Sequence, residues 1–515
     1  MPHLRSAHIV LVGIIALSSA AIFLAANGPD HARLPARLPA RLPARLPDFR
    51  ALGELRVATR IDALAYREDE NGTYAGFEHD LLIEFGRRLG VSVRFVPYSD
   101  AVHALAAVID GRAHLAAAGL TRDSRLPLAW TVGLREIDFV LAGSASRRGI
   151  MRERDLAGRV VTVRQGTPLA GAIAQIRQRV PEMEVVHPPV DIDDQTLLTQ
   201  LATGQIDLLA VDRVHYALAT RFSPKLAIAY ELPLKSSVAW ALPLETEGEL
   251  ARELNSFLGD ASDSGFLARV ADRYFGHVRR LDRYDIAAFL NRAQKRLPRY
   301  LPYFHEAEAR TGIDWRYLAA LAYQESQWNP EATSHTGVRG MMMLTVETAN
   351  RLGVDDRLDP RQAILGGARY IAMLQKELPD DIPEPDRMWM VTAAYNIGMG
   401  SVINARALAR LLGKNDTSWA ELKSILPLLS RRQYADRLKS RVARGGEALI
   451  MTENIRNFYD ILRRTHPIER PLLVESAREA ASPGLQFEAR TPSGVRAAAR
   501  ASSQPSGLNV STPPM

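Results

Sequence analysis

The chain has 515 residues, of which 47% are hydrophobic and 24% are charged, and this composition excludes a fibre or a wholly disordered protein. It contains no cysteine, so disulfides, zinc ribbons, iron–sulfur clusters and thiol nucleophiles are excluded as well. The formal net charge is +7, but six arginines oppose two aspartates in residues 1–50, and four arginines oppose three glutamates in residues 475–515. The folded middle therefore keeps a charge of only +2, and we expect no nucleic-acid partner.

The N-terminal segment has the pattern of a targeting sequence. Arg5 and His8 precede an uncharged apolar run over residues 9–26, which ends in small residues. This order predicts that residues 1–28 are a secretory signal peptide or, at about eighteen apolar residues, an N-terminal membrane anchor. Both alternatives remain open.

Low-complexity segments flank the folded part. Residues 32–47 repeat Ala-Arg-Leu-Pro four times, and a proline at every fourth position removes the hydrogen bonds of helices and sheets. We therefore predict an extended linker over residues 29–50, which is either a spacer or a tract without a role. Residues 467–515 are rich in alanine, serine, proline and arginine, which predicts a disordered tail.

Residues 51–278 alternate short β-rich runs with helical patterns, which predicts an α/β domain. The order strand, helix, strand, helix, strand occurs over residues 55–120 and again over residues 160–211. Gly90 and Gly111 fall just past helical stretches, where a left-handed residue is favoured. The repetition predicts two lobes joined by crossovers near residues 142–148 and 231–240, with a ligand cleft between them.

Four short motifs carry a resemblance for this half. They are Ala75-Gly76-Phe77-Glu78-His79-Asp80-Leu81, Leu89-Gly90-Val91, Ala117-Ala118-Gly119-Leu120-Thr121 and Gln165-Gly166-Thr167. In their order and spacing they resemble the family 3 periplasmic solute-binding proteins. The resemblance implies a fold of two α/β lobes that bind a small solute.

That resemblance also implies an amino acid or a peptide as the ligand, and it gives roles to four residues. Arg125 would clamp the ligand's carboxylate and Thr167 would donate to the same group, while Asp212 would meet an ammonium and Tyr66 would wall the pocket. A bidentate guanidinium suits a carboxylate and an aspartate suits an amine, most strongly where the groups are desolvated. The alternative for Arg125 is a solvated loop side chain.

Residues 298–466 have a helical pattern throughout, after a connecting segment over residues 279–297. Asp314 is a suitable N-cap for a helix that carries Trp315, Leu318, Ala322 and Glu325 on one face. Glu325 then lies at the C-terminal end of an apolar stripe, where the helix dipole and the hydrophobic interior both raise the pKa of a carboxyl group. Such a group can act as a general acid. On this geometry alone, a solvated terminal glutamate is the alternative.

The motifs from Glu325 onward make a second resemblance specific. They are Glu325-Ser326-Gln327-Trp328-Asn329-Pro330, a loop from Ser334 to Gly340-Met341-Met342-Met343-Leu344, Gly366-Gly367-Ala368-Arg369-Tyr370, and Ala393-Ala394-Tyr395-Asn396-Ile397-Gly398. They resemble the soluble lytic transglycosylase domain, whose fold is similar to goose-type lysozyme.

This second resemblance implies that Glu325 is the catalytic acid and base. It further implies that the substrate-binding residues are Ser326, Ser334, Met342, Met343, Tyr395 and Asn396. Met343 stands where the family usually has glutamine, so one polar contact with the substrate is predicted to be lost or replaced. The resemblance implies no metal and no cofactor.

The order of the two halves resembles the membrane-bound lytic murein transglycosylase F group. The expected fold class is therefore multidomain, a bilobal α/β periplasmic-binding-protein-like domain followed by an all-α lysozyme-like domain. The resemblance implies cleavage of the β-1,4 bond between MurNAc and GlcNAc in peptidoglycan with formation of a 1,6-anhydroMurNAc end. Regulation by a muropeptide or amino-acid ligand of the first half is a hypothesis.

The same resemblance implies a location in the periplasm of a Gram-negative bacterium, in association with a membrane. This is the outer membrane by family resemblance, or the inner membrane if residues 1–28 are retained as an anchor. Two alternative functions stay open from the sequence. One is a hydrolytic muramidase, and the other is a solute receptor whose helical half is inactive.

Overall fold

The computed structural model describes residues 46–467, except residues 63–64, 69–71, 124, 147–149, 166, 190–191, 245–247, 278–280 and 335–336. The predicted signal or anchor, nearly all of the predicted linker and the predicted tail beyond residue 467 lie outside the described residues. Within the described part of the chain, no helix combines the length and the apolar character needed to cross a membrane.

The first lobe of the α/β half is built on a mixed sheet. Its strands are β1 (Glu54–Arg60), β4 (Ser92–Tyr98), β5 (Leu115–Ala116), β6 (Leu128–Trp130) and β12 (Ala241–Pro243). They lie in the order β4-β1-β5-β12-β6. β1 is parallel to β4 and β5, whereas β12 is antiparallel to β5 and β6. The lobe also contains a two-stranded hairpin and three helices, namely β2 (Arg67–Glu68), β3 (Tyr74–Ala75), α1 (Phe49–Leu52), α2 (Phe77–Leu89) and α3 (Ala101–Ile109).

The second lobe has a sheet of the same size. Its strands are β7 (Arg135–Ser144), β8 (Val160–Thr162), β9 (Glu184–Val186), β10 (Leu208–Asp212) and β11 (Leu226–Val238). They lie in the order β11-β7-β10-β8-β9, with β8 parallel to β9 and β10 and β7 antiparallel to β10 and β11. Its helices are α4 (Pro168–Arg179), α5 (Asp194–Thr203) and α6 (Arg213–Thr220), and a 3-10 turn covers Glu153–Leu156.

The chain crosses between the lobes twice, and the sequence located one crossover correctly. The return falls at residues 239–240, between β11 and β12, inside the expected range. The first crossover falls at residues 131–134, between β6 and β7, so the expectation of residues 142–148 is wrong. Ala142 lies well inside β7, opposite Leu209 of β10 and Ile228 of β11. The length of β7 is thus fixed by partner strands that are distant in sequence.

Both ends of the α/β half pack onto the first lobe. Leu254 of helix α7 (Glu249–Asp263) and Val270 of helix α8 (Phe266–Phe275) belong to the same core cluster as Phe85 of α2. Phe49 belongs to that cluster and is 2% exposed, and Asp48 caps its helix by accepting from the backbone N–H of Arg50. The packed structure therefore begins slightly before residue 51.

The second half is helical, and none of its described residues forms a β-strand. Its helices are α9 (Arg283–Lys295), α10 (Leu301–Thr311), α11 (Trp315–Ser326), α12 (Val346–Arg351), α13 (Pro360–Glu377), α14 (Asp386–Ile397), α15 (Met399–Leu411), α16 (Trp419–Ile425), α17 (Arg432–Arg437) and α18 (Gly445–Thr465), with 3-10 turns at Leu297–Arg299 and Leu426–Ser430. α11 is central, since Leu318, Leu321 and Ala322 are fully buried. Phe289 of α9 packs on Phe458 of α18, so residues predicted as a connecting segment contribute to this core.

Polar groups of α18 join the two halves. Arg221, the C-cap of α6, is 3% exposed and donates to Asn457 Oδ1 (3.0 Å) and to Asp460 Oδ2 (3.1 Å). His277 Nε2 lies 2.6 Å from the same oxygen of Asp460, and burial lowers the pKa of His277 to about 4. Because removal of one partner would leave a buried polar group unsatisfied, this contact fixes α18 against the second lobe.

Candidate active site and ligand cleft

The N-terminus of α11 is fixed by Asp314, as the sequence predicted. Its carboxylate caps the helix by accepting from the backbone N–H of Arg316 (2.8 Å). The buried guanidinium of Arg316 also donates to it (2.7 Å), and the Tyr459 hydroxyl of α18 donates to the same oxygen (2.8 Å). Asp314 is thus fully engaged in holding the helix.

Glu325 lies in the last turn of α11, at the end of the predicted apolar stripe. Trp315, Leu318 and Ala322 of the stripe are all buried. Burial raises the pKa of Glu325 to about 8, and no charged group among the described residues contributes to this shift. The carboxyl group is therefore mostly protonated at neutral pH, which is the state that a general acid requires. The predicted direction of the pKa shift is confirmed.

The chain leaves α11 through two strained residues. Gln327 (φ 53°) and Trp328 (φ 56°) are both in the left-handed region, which side chains other than glycine adopt only when their surroundings hold them there. The buried Trp328 indole donates to the carbonyl oxygen of Ala319 (2.9 Å) and packs against Phe289 and Tyr323. The position of the helix end, and so of Glu325, is set by this packing.

A loop over residues 340–344 closes against the same helix end. The Ser326 hydroxyl lies 2.9 Å from the carbonyl oxygen of Met341, and the Tyr395 hydroxyl donates to that of Met342 (2.6 Å). Gly340 has φ 84°, and a Cβ atom there would lie 1.8 Å from the carbonyl oxygen of Arg357. Only glycine can occupy this position, which explains the glycine of the loop motif.

Tyr395 of α14 lies within electrostatic range of Glu325. Burial and the charge of Glu325 together raise the pKa of Tyr395 well above its ordinary value, so its hydroxyl stays a donor. Its ring lies 5.3 Å from that of Tyr370. Tyr370 belongs to a motif for which the sequence suggested no function of this residue. The ring contact shows that Tyr370 packs against Tyr395.

The structure brings four of the seven predicted active-site residues together, namely Glu325, Ser326, Met342 and Tyr395. Met342 contributes its backbone, because its side chain is buried against Gly367. The other three residues lie nearer the surface. Ser334 is half-buried and accepts from the backbone N–H of Val338, Met343 is half-buried with φ 46°, and Asn396 is exposed.

A second site lies between the two lobes of the α/β half. It is a cavity of about 190 Å³ lined by residues of both lobes. Of the four residues predicted for a ligand, Thr167 and Asp212 line the cavity, whereas Tyr66 and Arg125 are not among its lining residues.

Thr167 and Asp212 are both N-caps. Thr167 accepts from the backbone N–H of Ala170 at the start of α4. Asp212 accepts from the backbone N–H groups of Val214 (2.9 Å) and His215 (3.0 Å) and also contacts the His215 ring. The polar atoms expected to meet a ligand therefore already hold helix ends.

Arg125 and Tyr66 are engaged elsewhere. The Arg125 guanidinium donates twice to Asp123 (2.9 and 2.6 Å), and its side chain is 64% exposed. Tyr66 is buried in an aromatic stack with Tyr74 (4.8 Å between ring centroids) and Phe95 (5.0 Å).

Sequence reasoning missed a cluster of charged residues that connects the lobes across the cavity. Arg60 pairs with Asp62 (3.1 Å) in its own lobe and lies 3.6 Å from Asp194 of the other, while His215 Nε2 lies 3.1 Å from Asp62. Arg60 ends β1, and ligands of open α/β sheets bind at the carboxyl ends of strands, so this rule could have located it. Asp62, Asp194 and His215 have donor atoms close enough for a metal ion, but the guanidinium of Arg60 opposes a cation there.

Known proteins match this chain over both halves. Residues 302–417 match the family described as Transglycosylase SLT domain, and residues 55–128 match the Bacterial extracellular solute-binding proteins, family 3. Membrane-bound lytic murein transglycosylase F of Thiobacillus denitrificans is 41% identical over 428 residues, which are 82% of this chain and 90% of that protein. The chain belongs to the membrane-bound lytic murein transglycosylase F family.

A further relative belongs to the same family, and part of the chain is similar to a solved structure. The protein of that name from Methylobacillus flagellatus is 37% identical, over 82% of this chain and 91% of that protein. Among solved structures, a mutant of the protein ArgBP from T. maritima has a TM-score of 0.40 and 22% identity, over 44% of this chain and 97% of that one. Membership of the transglycosylase F family confirms the order of domains expected from the sequence, a bilobal α/β part followed by a helical part.

Proposed function

We propose that this protein is a peptidoglycan lytic transglycosylase, which cleaves the β-1,4 bond between MurNAc and GlcNAc and leaves a 1,6-anhydroMurNAc end. One observation carries the proposal within the family. Glu325 is a carboxyl group with a pKa of about 8, raised by burial alone, in the last turn of a largely buried helix. It can hold a proton at neutral pH and release it to a substrate oxygen.

The first step uses Glu325 as the acid. Its proton passes to the glycosidic oxygen, the bond from that oxygen to C1 of MurNAc breaks, and GlcNAc leaves with a free 4-hydroxyl group. The positive charge that develops at C1 is stabilised by the N-acetyl group of MurNAc. Glu325 becomes a carboxylate at this point, in surroundings that favour its neutral form.

The second step returns the proton. The 6-hydroxyl group of MurNAc attacks C1, its proton passes to the Glu325 carboxylate, and the 1,6-anhydro ring closes with the enzyme in its starting state. A hydrolase with two carboxyl groups would need a second acid beside the bond. Asp356 accepts from the backbone of Leu358 and Asp359 caps α13, so these nearby acids in the sequence have structural roles.

The other predicted residues support this chemistry in different ways. Ser326 and Tyr395 hold the loop over residues 340–344 through its carbonyl groups, and so position the cleft floor beside Glu325. We assign contacts with the sugar to the backbone of Met342 and to the side chains of Ser334, Met343 and Asn396. Tyr395 and Asn396 would orient the sugar and its acetamido group.

The rest of the chain delivers and regulates this activity in the proposal. Residues 1–28 direct export and residues 29–50 are a spacer, so the enzyme works in the periplasm at a membrane. This is the outer membrane by family resemblance, or the inner membrane if residues 1–28 are retained as an anchor. Residues 51–278 bind a small ligand derived from the wall, an amino acid or a peptide, and residues 298–466 hold the catalytic cleft. The α18 contacts with Arg221 and His277 give the ligand domain a physical connection to the catalytic helices.

The product decides between this proposal and a hydrolytic muramidase. Sacculi digested by the full-length protein should release muropeptides with 1,6-anhydroMurNAc ends, about 18 mass units lighter than the hydrolytic products because one water is not added. Mass spectrometry of the digest measures this, with Glu325→Gln as the blank. Reducing ends instead of anhydro ends would establish hydrolysis, and no release by the wild type would leave only a solute receptor.

A further inference from the structure

The positive charge of the folded part is concentrated in one short segment of the helical half. Residues 431–444, called the basic segment below, hold five arginines and one lysine against a single aspartate, which gives a net charge of +5. Residues 51–474 together carry only +2, so the remainder of that region carries −3. Such a local excess of one sign indicates a surface for an anionic partner. The cations of the basic segment are Arg431, Arg432, Arg437, Lys439, Arg441 and Arg444.

Neighbouring acids neutralise little of this charge. Arg432 lies 3.9 Å from Asp436 and Arg444 lies 3.6 Å from Glu447, but all four side chains are at least 64% exposed. Ion pairs between groups as exposed as these contribute little. The other four cations are exposed as well, and none of them forms an ion pair with a described residue. Their charges are therefore available to a partner.

The backbone of the basic segment is held in place although its side chains are exposed. Ala435 of α17 is buried, at 3% exposure, and anchors the middle of the segment. Near the end, the backbone N–H of Ala443 donates to the carbonyl oxygen of Leu429 (3.1 Å). A Cβ atom at Gly445 would lie 1.9 Å from the carbonyl oxygen of Leu426, so glycine is needed where the segment enters α18. Because the backbone is already ordered, little conformational entropy is lost when a partner binds.

The composition of the basic segment favours an anionic polymer over a lipid surface. Five of its six cations are arginines, whose planar guanidinium groups bind carboxylates and phosphates through paired hydrogen bonds. A segment that enters a lipid interface also presents a band of large apolar side chains. Within residues 431–444, all of which the structure describes, Val442 at 56% is the only exposed large hydrophobic residue. The partner is therefore a polymer with repeated anionic groups.

We propose that the basic segment is a second contact surface for peptidoglycan, which binds the free carboxylate groups of the stem peptides. The proposal rests on the proposed function, since it takes the wall polymer as the substrate, and it adds a surface that recognises peptides rather than sugars. Residues 431–444 include none of the residues assigned to the catalytic cleft. The surface therefore raises the affinity for the polymer without taking part in the chemical step.

Co-sedimentation of the full-length protein with sacculi, in detergent, tests this surface. The protein carries Glu325→Gln, so that the wall stays intact during the measurement. Raising NaCl from about 50 mM to about 300 mM should weaken binding at least about threefold, because salt screens exposed charges. Sacculi whose carboxyl groups have been converted to amides with a carbodiimide and ammonia should bind about tenfold more weakly at the lower salt concentration, since several exposed ion pairs are lost together.

A triple variant removes charge from the basic segment itself. Arg437→Gln, Lys439→Gln and Arg441→Gln together should weaken binding to untreated sacculi about tenfold at low salt, because three exposed ion pairs are lost. Binding to amidated sacculi should not change. In the chain that keeps Glu325, the same three substitutions should raise KM for sacculi about tenfold and leave kcat unchanged, whereas damage to the catalytic cleft would lower kcat.

A matched control removes the same charge from another part of the surface. Arg154, Arg177 and Arg252 of the α/β half are exposed and form no ion pair with a described residue. Their joint replacement by glutamine should leave sacculus binding as it is in the parent chain. An equal loss in the control would mean that total charge, and not the basic segment, determines binding, and it would contradict the proposal.

Two further results would overturn the proposal. One is equal binding to amidated and untreated sacculi. The other is unchanged sacculus binding in the triple variant, which would leave the anionic headgroups of a membrane as the partner of the basic segment. If the triple variant does not fold, Arg441→Gln alone should still weaken binding about twofold and decides instead. Because binding is measured without turnover, the test of anhydro products stays independent, and the failure of one proposal does not imply the failure of the other.

Discussion

Among the described residues, each half of this protein contains a glutamate whose acidity is weakened by the same physical cause. Burial raises the pKa of Glu325 to about 8 and that of Glu78 to about 7. The difference lies in their neighbours. No charged group contributes to the shift of Glu325, whereas Glu78 is influenced by Asp62, Arg60, Arg135 and the Gly119 N–H.

This difference decides how each carboxyl group holds its proton. A carboxyl group shifted by burial alone exchanges its proton with whatever oxygen approaches, which is useful in acid–base catalysis. A carboxyl group already held by an N–H and faced by guanidinium groups, as Glu78 is, has part of its charge compensated. Burial therefore acts alone at Glu325, whereas it is partly opposed at Glu78.

The largest effect is expected when the carboxyl group of Glu325 is removed, because the comparison assigns proton transfer to that group. Glu325→Gln should lower kcat for release of anhydro-muropeptides by about 10²–10⁴-fold, because an amide can neither donate nor recover the proton. The measurement is the rate of muropeptide release from sacculi. Glu331→Gln, an exposed change of the same type close in sequence, serves as the matched control and should keep the wild-type rate.

Thermal unfolding separates lost chemistry from lost structure in this variant. Because burial raises the pKa of Glu325 from 4.5 to about 8, the folded protein keeps a proton that the unfolded chain loses, so the free energy of unfolding falls between those two pH values and stays at the lower level above them. The glutamine variant cannot ionise, so it should unfold at or above the wild-type temperature at pH 9. A rate within threefold of the wild type in a folded variant would contradict the assignment of Glu325.

The next largest effect is expected in the pH dependence of the reaction, which follows the protonation of Glu325. Because the acid must be protonated to start the reaction, kcat/KM should fall about tenfold per pH unit above pH 8, the region in which Glu325 loses its proton. Rates of anhydro-product release between pH 5 and pH 10 check this. If kcat/KM already begins to decrease at a pH below 7, the carboxyl group of Glu325 is better solvated than its burial indicates.

The two glutamates also differ in how far the sequence predicts them. The environment of Glu325 is local: Asp314 caps the helix eleven residues earlier, and the apolar stripe between them follows the helical repeat, so the cap and the raised pKa could both be predicted. Glu78 depends on distant residues. Its Oε1 accepts from the backbone N–H of Gly119, which is 41 residues away, and its pKa also depends on the charges of Asp62 and Arg135.

The first crossover was mislocated for the same physical reason. The end of β7 is set by pairing with β10 and β11, which lie far along the chain, and no local pattern marks it. Similarly, the aromatic stack that buries Tyr66 joins Phe95 of β4 to the hairpin residue Tyr74. Helix caps, apolar stripes and local motifs can therefore be predicted from this sequence, whereas contacts between residues that are distant along the chain cannot.

The smallest effect is expected from a substitution of Arg125 in the α/β half, which tests how that half binds its ligand. Arg125→Ala should change the affinity for L-leucine, used as an amino-acid probe, by less than about twofold. The Arg125 guanidinium donates to Asp123 through Nε and Nη2 and is largely exposed, and Arg125 is not among the residues that line the cavity. The resemblance to solute-binding proteins predicts the opposite, a carboxylate clamp whose removal costs at least about tenfold. Calorimetry with L-leucine and L-leucinamide separates the two, since loss of a carboxylate clamp would weaken only the first probe. A tenfold loss restricted to L-leucine would mean that Arg125 leaves Asp123 when the cleft is occupied, and the carboxylate would then be recognised by a residue that the empty cleft holds elsewhere.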